Sequence, residues 1–277
     1  MDLSRLATES RNERTTDLDR MTVPELLATM NDEDATVATA VRAALPQVAA
    51  AVERVTASLR RGGRLVYVGA GTSGRLGLLD AVECPPTFDT APEQVVALLA
   101  GGDGAVRVAV EGAEDDPDRA AVDIDAAEVD EHDTVVGLAA SGRTPYVVAA
   151  LDRARERGAT TVSIACNRDA ELSGHADVAI EVETGPEVLT GSTRLKAGTA
   201  QKLVCNMLST AAMVQVGKVY ENLMIDMRPT NAKLAARARR IVAQAAHVDE
   251  DRAAEALAAS SGPVSYTHLT LPTILRV

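Results

Sequence analysis

Residues 64–86 constrain the fold of this chain more than any other stretch. An apolar run, Leu65-Val-Tyr-Val, breaks into Gly69-Ala-Gly-Thr-Ser-Gly-Arg75, and Leu76-Gly-Leu-Leu-Asp80-Ala-Val-Glu83-Cys-Pro-Pro86 follows at helical spacing. That order predicts a strand, a turn whose backbone N–H groups can approach a phosphate, and a helix N-terminus. The helix carries Glu83 just ahead of a double proline, which is expected to stop it.

Four further apolar runs, at 95–102, 134–140, 160–166 and 178–182, alternate with segments of helical pattern. Continuous apolar strands interleaved with helices imply a parallel sheet covered on both faces. The expectation is an α/β fold, a five-stranded parallel sheet sandwiched between helices, with an N-terminal helix and a C-terminal helical segment. Val37, Val41, Leu45, Val48, Val52, Val55 and Leu59 give 34–61 a helical period that Pro46 kinks or divides. Pro145 starts another helix with Thr144 available as its cap. Residues 192–216, 230–246 and 249–259 read as three more. Aromatic residues are only 2% of the chain, so the core must be built from Ala, Val, Leu and Ile.

The polar stretch 1–33 reads as a solvated N-terminal arm; the functional alternative is an arm supplying Ser10 or Arg11 to a neighbouring subunit. The sheet domain is expected over 34–225 and the helical segment, cut short, over 226–263. From Val264 the chain loses its acidic residues and helical period, so 264–277 reads as a non-native or disordered tail.

A net charge of −12 lacks the basic footprint of a nucleic-acid binder. Cys84, Cys166 and Cys205 are far apart and odd in number, as expected of reduced thiols in the cytoplasm. The four His residues are scattered, and neither a metal cluster, a secretory leader nor a membrane span is visible.

Ligands of open parallel sheets bind at the carboxyl ends of the strands. Three polar loops fall at such ends or at a following helix start, 69–75, 140–144 and 190–196, and each combines small residues with hydroxyls. Arg143 belongs to the second, Arg194 and Lys196 to the third. Together they point to a phosphate-bearing ligand. Gly69-Ala-Gly-Thr-Ser-Gly74 does satisfy the dinucleotide pattern. However, the second strand ends about thirty residues later, not where the acidic ribose contact belongs, about 20 residues on. A phosphate on a sugar fits the hydroxyls better than a pyrophosphate. Two carboxylates stand out as an acid–base pair: Glu83, whose apolar neighbours Ala81, Val82 and Cys84 suggest burial and a raised pKa, and Glu114, in an acidic run that otherwise reads as a solvated helix face.

The strings 69–75, Glu83-Cys-Pro-Pro86, Glu111-Gly-Ala-Glu114-Asp115, Thr8-Glu-Ser-Arg-Asn12 and 191–202 together closely resemble the N-acetylmuramic acid 6-phosphate etherase family, in that family's order, over roughly 3–263. The resemblance implies the sugar isomerase (SIS) fold, a homodimer, a phosphosugar substrate and no cofactor. It implies loss of D-lactate from carbon 3 by elimination and rehydration, leaving N-acetylglucosamine 6-phosphate. Glu83 then matches the proton donor to lactate and Glu114 the base at carbon 2. Phosphate and sugar contacts fall on Gly71, Thr72, Ser73, Ser141, Thr144, Thr193, Arg194 and Lys196, whereas Arg75 is left to brace its helix. Two other readings stay open: an aldose–ketose phosphosugar isomerase and a non-catalytic sugar-phosphate sensor.

Overall fold

The computed structural model describes residues 6–227 and 232–259. Helices α1 (Val23–Asp34), α2 (Val37–Ala43) and α3 (Leu45–Arg60) precede β1 (Leu65–Gly69), and α4 (Gly71–Phe88) leads to β2 (Val95–Leu99). Then come α5 (Pro117–Ala126), β3 (Thr134–Leu138), α6 (Pro145–Glu156), β4 (Thr160–Ala165), β5 (Val178–Glu181) and α7 (Lys196–Gln215). The five strands form one parallel sheet in the order β2-β1-β3-β4-β5.

Alternation along β1 divides the core in two, because successive side chains of a strand leave opposite faces. Leu65 and Tyr67 pack with α3, α4 and α7 through Val55, Ala81, Val204 and Leu208. Val66 and Val68 pack with α5 and α6 through Ile124, Val147 and Leu151. β1 is buried at every position, which is why it reads as an unbroken apolar run.

A short hairpin, β6 (Val219–Tyr220) and β7 (Leu223–Met224), joins α8 (Ala232–Ala246) and α9 (Glu250–Ala259) around a separate small core that includes Met227, Ile241 and Ala253. The stretch 264–277 lies outside the described residues.

Local expectations meet the structure in five places. Pro46 divides the first helical pattern as expected, with α2 ending at Ala43 and α3 carrying the proline in its first turn, where a missing N–H costs nothing. The double proline does not stop α4. Pro85 and Pro86 omit two N–H donors, yet the helix continues to Phe88 and closes through Asp89 N–H on Pro85 O at 3.0 Å, with Asp89 left-handed at φ +50°. Thr144 stands at the cap of α6, but its side chain makes no capping hydrogen bond. The long helix starts at Lys196, with 192–195 in a turn.

The fifth concerns the arm, which is exposed along much of its length but anchored by buried polar residues. Thr8, Asn12 and Thr15 are buried, and the Thr8 N–H donates to Asn167 Oδ1 at 3.2 Å. Asn167 Nδ2 donates back to Thr8 Oγ1 at 3.0 Å, and Thr15 Oγ1 donates to Val188 O at 2.9 Å. Ser10 and Arg11 bond within the arm, to Leu6 O and Thr16 O. Small polar residues look solvated in sequence; here they are consumed by carbonyls and an amide that only the fold brings near.

Candidate active site

The chain runs from β1 to β2 on one side, then returns to β3 on the other, so strand order reverses between β1 and β3. Such a switch point opens a crevice at the carboxyl ends of the two strands. Gly69 is in register with Leu138, so the loops after β1 and β3, carrying Gly71–Ser73 and Ser141–Thr144, stand side by side over it.

The glycines of the first loop have distinct reasons. Gly71 opens α4 at φ +54°, a conformation that side chains resist. Gly74 is required by contact, since a Cβ there would lie 2.3 Å from Leu99 Cδ1 and 2.6 Å from Gly69 O. The helix N-terminus is thereby seated directly on the strand ends, its free N–H groups turned toward the crevice mouth. Arg75 braces the neighbouring excursion, with Nη2 donating to Ala105 O at 2.7 Å and Nε at 3.1 Å.

The third loop reaches the first through α7. Ser73 Oγ donates to Gln201 Oε1 at 2.8 Å, and a side chain at Gly198 would sit 3.5 Å from the Thr72 methyl. The start of α7 is capped by Glu187, whose Oε2 and Oε1 accept the N–H groups of Lys196 and Ala197, both at 2.9 Å. Burial pushes the Glu187 carboxyl up, against those two N–H groups and the Lys196 charge.

Lys196 departs from its expected role. Its ammonium is buried and held by Glu33 Oε2 at 2.6 Å, while Arg14 holds Glu33 Oε1 at 2.8 Å. In this chain its ammonium ties α7 to α1. Burial pushes Glu33 up, but the Lys196 and Arg14 charges outweigh it and hold the carboxyl below the usual range. A carboxylate lowered in this way stabilises the fold above its unfolded pKa and loses that contribution as pH falls through its folded value. Glu33→Gln is therefore expected to cost about 3–5 kcal/mol at pH 7, because it strands a buried ammonium. The gap from the unmodified chain should close progressively below the ordinary glutamate pKa in denaturant titrations at stepped pH.

Thr193 is half-buried and Arg194 exposed, at the rim formed by this turn. Ser141 accepts the Arg143 N–H at 3.4 Å. Glu114 sits in a 3-10 turn, Ala113–Asp115, just ahead of α5, where the Asp116 side chain caps the Arg119 N–H at 2.9 Å. Ala113 packs into the α5–α6 core, which brings this exposed turn to the helix that begins at the 140–144 loop. Glu114 is thus on a loop, and not on the helix face that its acidic surroundings suggest.

Glu83 is exposed on α4, so the burial that its apolar neighbours suggest is absent from a single copy. The buried carboxylate of that helix is Asp80, which accepts from Tyr67 Oη at 2.8 Å, Asn206 Nδ2 at 2.6 Å and Ser209 Oγ at 3.0 Å. Burial pushes its pKa up, against these three donors, and it joins α4 to α7. Glu83 lies twelve residues beyond Gly71, or about 18 Å down the helix axis at 1.5 Å per residue. Within one copy it therefore sits far from the loop that begins its own helix. Among the described residues, no group of three His, Cys, Asp or Glu side chains could hold a metal ion.

The sequence is 71% identical to an N-acetylmuramic acid 6-phosphate etherase of Mycolicibacterium smegmatis over 262 residues, covering 95% of this chain and 88% of that protein. An etherase of the same name from Streptomyces coelicolor is 54% identical over 97% of this chain and 86% of its own length. The chain belongs to the N-acetylmuramic acid 6-phosphate etherase family. In addition, the glucokinase regulatory protein N-terminal SIS domain matches residues 47–155, and the SIS domain matches 116–211.

Solved structures agree on the fold. Phosphoheptose isomerase from Neisseria gonorrhoeae aligns at TM-score 0.52 and 19% identity, over 69% of this chain and 98% of that one. A phosphoheptose isomerase from Francisella tularensis gives 0.50 at 15% identity, over 70% and 100%. For a member of the etherase family, the crevice between β1 and β3 is where the three loops gather, with Glu114 on the adjoining turn and Glu83 held elsewhere.

Sequence reasoning alone does not reach Gln201, Glu187, Glu33 or Asp80. Gln201 stands inside a string of the etherase resemblance, but nothing in its spacing marks a partner 128 residues away. Glu33 and Asp80 are carboxylates whose burial depends on contacts between distant helices, and Glu187 is buried in a loop as the cap of α7.

Proposed function

We propose that this chain cleaves the D-lactyl ether of N-acetylmuramic acid 6-phosphate, releasing D-lactate and N-acetylglucosamine 6-phosphate, at a site completed by a second copy of itself. The observation that carries the reaction is the 71% identity to an etherase across nearly the whole chain. An alkoxide leaves poorly, so direct hydrolysis of an alkyl ether is slow. Opening the sugar ring changes this, because the aldehyde at carbon 1 acidifies the proton on carbon 2.

Glu114 takes that proton while Glu83 protonates the departing lactate oxygen at carbon 3. Water then adds to carbon 3 of the unsaturated aldehyde, and a proton returns to carbon 2. The N–H groups and hydroxyls of Gly71, Thr72 and Ser73, with Ser141, Thr144, Thr193 and Arg194, hold the phosphate and sugar. The three cysteines are free and buried, consistent with a reducing cytoplasm.

The second copy is supported by the position and surroundings of Glu83. Leu79 and Val82 are 49% and 55% exposed beside it, an apolar stripe on the outer face of α4. Two α4 helices packed antiparallel through this stripe about a twofold axis would cover it. Each Glu83 would then face the helix of the other copy, desolvated by the contact and nearer that copy's glycine loop than its own. That arrangement shortens the axial gap of about 18 Å that a single copy leaves.

The test is an enzymatic assay of D-lactate from N-acetylmuramic acid 6-phosphate, with fructose phosphate formation from glucose 6-phosphate as the control. Stoichiometric lactate is the expected result. Ketose formation without lactate would replace this reading with an isomerase.

A further inference from the structure

Gln201 is 1% exposed and its Oε1 accepts the Ser73 hydroxyl at 2.8 Å, while its Nε2 is buried without a partner among the described residues. Buried amide donors are nearly always paired, so an unpartnered one beside a ligand loop calls for a reason. Ser73 is itself buried at the third residue of α4, and it has a single proton to give. In the arrangement described, that proton goes to Gln201, and Ser73 has only lone pairs left for a ligand. A phosphate, however, needs donors.

We propose that Gln201 is a positioning residue for the substrate phosphate, its carboxamide turning over so that Nε2 donates to Ser73 Oγ and frees the serine proton for a phosphate oxygen. This rests on the reading above that Ser73 contacts the phosphate. The turn interchanges two atoms of nearly equal size about one side-chain bond, so it needs no change in packing. It pairs the orphaned donor and leaves in its place a carbonyl oxygen, which tolerates lack of a partner better. No covalent bond changes. Gln201 therefore touches Ser73, and Ser73 touches the ligand.

The test is a double-mutant cycle on the full chain with Ser73→Ala, Gln201→Met and the pair, reading kcat and KM for lactate release together with the affinity for N-acetylglucosamine 6-phosphate. Gln201→Met keeps the volume and is expected to raise KM about fivefold, the scale of one lost orienting hydrogen bond, with kcat within twofold.

The double variant should match Ser73→Ala alone, since Gln201 acts only through that hydroxyl. Wild-type KM in Gln201→Met, or effects of the pair that simply add, would overturn the proposal. Wild-type KM in Ser73→Ala would instead remove the premise that this serine holds phosphate, and the proposal with it.

Discussion

Glu114→Gln is expected to abolish both D-lactate release and exchange of the carbon-2 proton with deuterated solvent, whereas Glu83→Gln abolishes lactate release and keeps part of the exchange. The two glutamates act on different bonds. Without the base no carbanion-like centre forms at carbon 2, so neither event proceeds. Without the acid the proton still leaves and returns, because deprotonation need not wait for the leaving group. Each loss should be about a hundred- to ten-thousand-fold in kcat, the range for removal of a positioned acid or base. Both side chains are exposed in the single chain, so the unfolding free energy should stay within about 0.5 kcal/mol of the parent. Mass spectrometry of recovered substrate, alongside a coupled lactate assay, reads both quantities. Full exchange in Glu114→Gln would reverse the assignment.

The second large effect comes from pairing these two inactive chains. Where Glu83 serves the loop of the other copy, a heterodimer of Glu83→Gln with Glu114→Gln contains one site with both carboxyl groups and one with neither. Such a heterodimer, isolated through two different affinity tags, should recover about half of the wild-type activity, because one of its two isologous sites is intact. Had both glutamates come from one chain, each site would lack one of them and the mixture would stay inactive. Leu79→Glu on both chains should prevent the recovery by placing like charges on the apolar stripe.

The strands are legible because burial on both faces leaves no polar positions, and Leu65-Val-Tyr-Val satisfies that condition without knowledge of its neighbours. The glycine turn is legible for a similar local reason: Gly71 needs positive φ and Gly74 needs contact with the strand end, and both demands are met within six residues. The helix end at Phe88 is harder to place. Two prolines remove donors from a helix, but one further turn held by Phe88 in the core and closed by Asp89 outweighs their loss. The arm reads as solvated in sequence because Thr8, Asn12 and Thr15 find their partners far along the chain, at Asn167, Pro186 and Val188.

The same distinction applies to the site residues. Lys196 stands in a polar loop as a base for phosphate, yet its charge is neutralised by Glu33, 163 residues earlier. Apolar neighbours in sequence suggest burial for Glu83, yet alternation around a helix turns Asp80 inward and Glu83 outward.

By itself, then, the sequence determined the alternation of buried strands with helices, the glycine turn after β1, and, through its resemblance, the etherase family. Those signals are local, carried by steric demands on a few adjacent residues or by strings that survive in order. Only the tertiary structure decided that strand order reverses between β1 and β3, that Lys196 is spent on an ion pair, that Gln201 holds Ser73, and that Glu83 stands far from its own loop. Each of these depends on the distance between residues remote in the chain, and such distances are set by packing a sheet between two layers of helices.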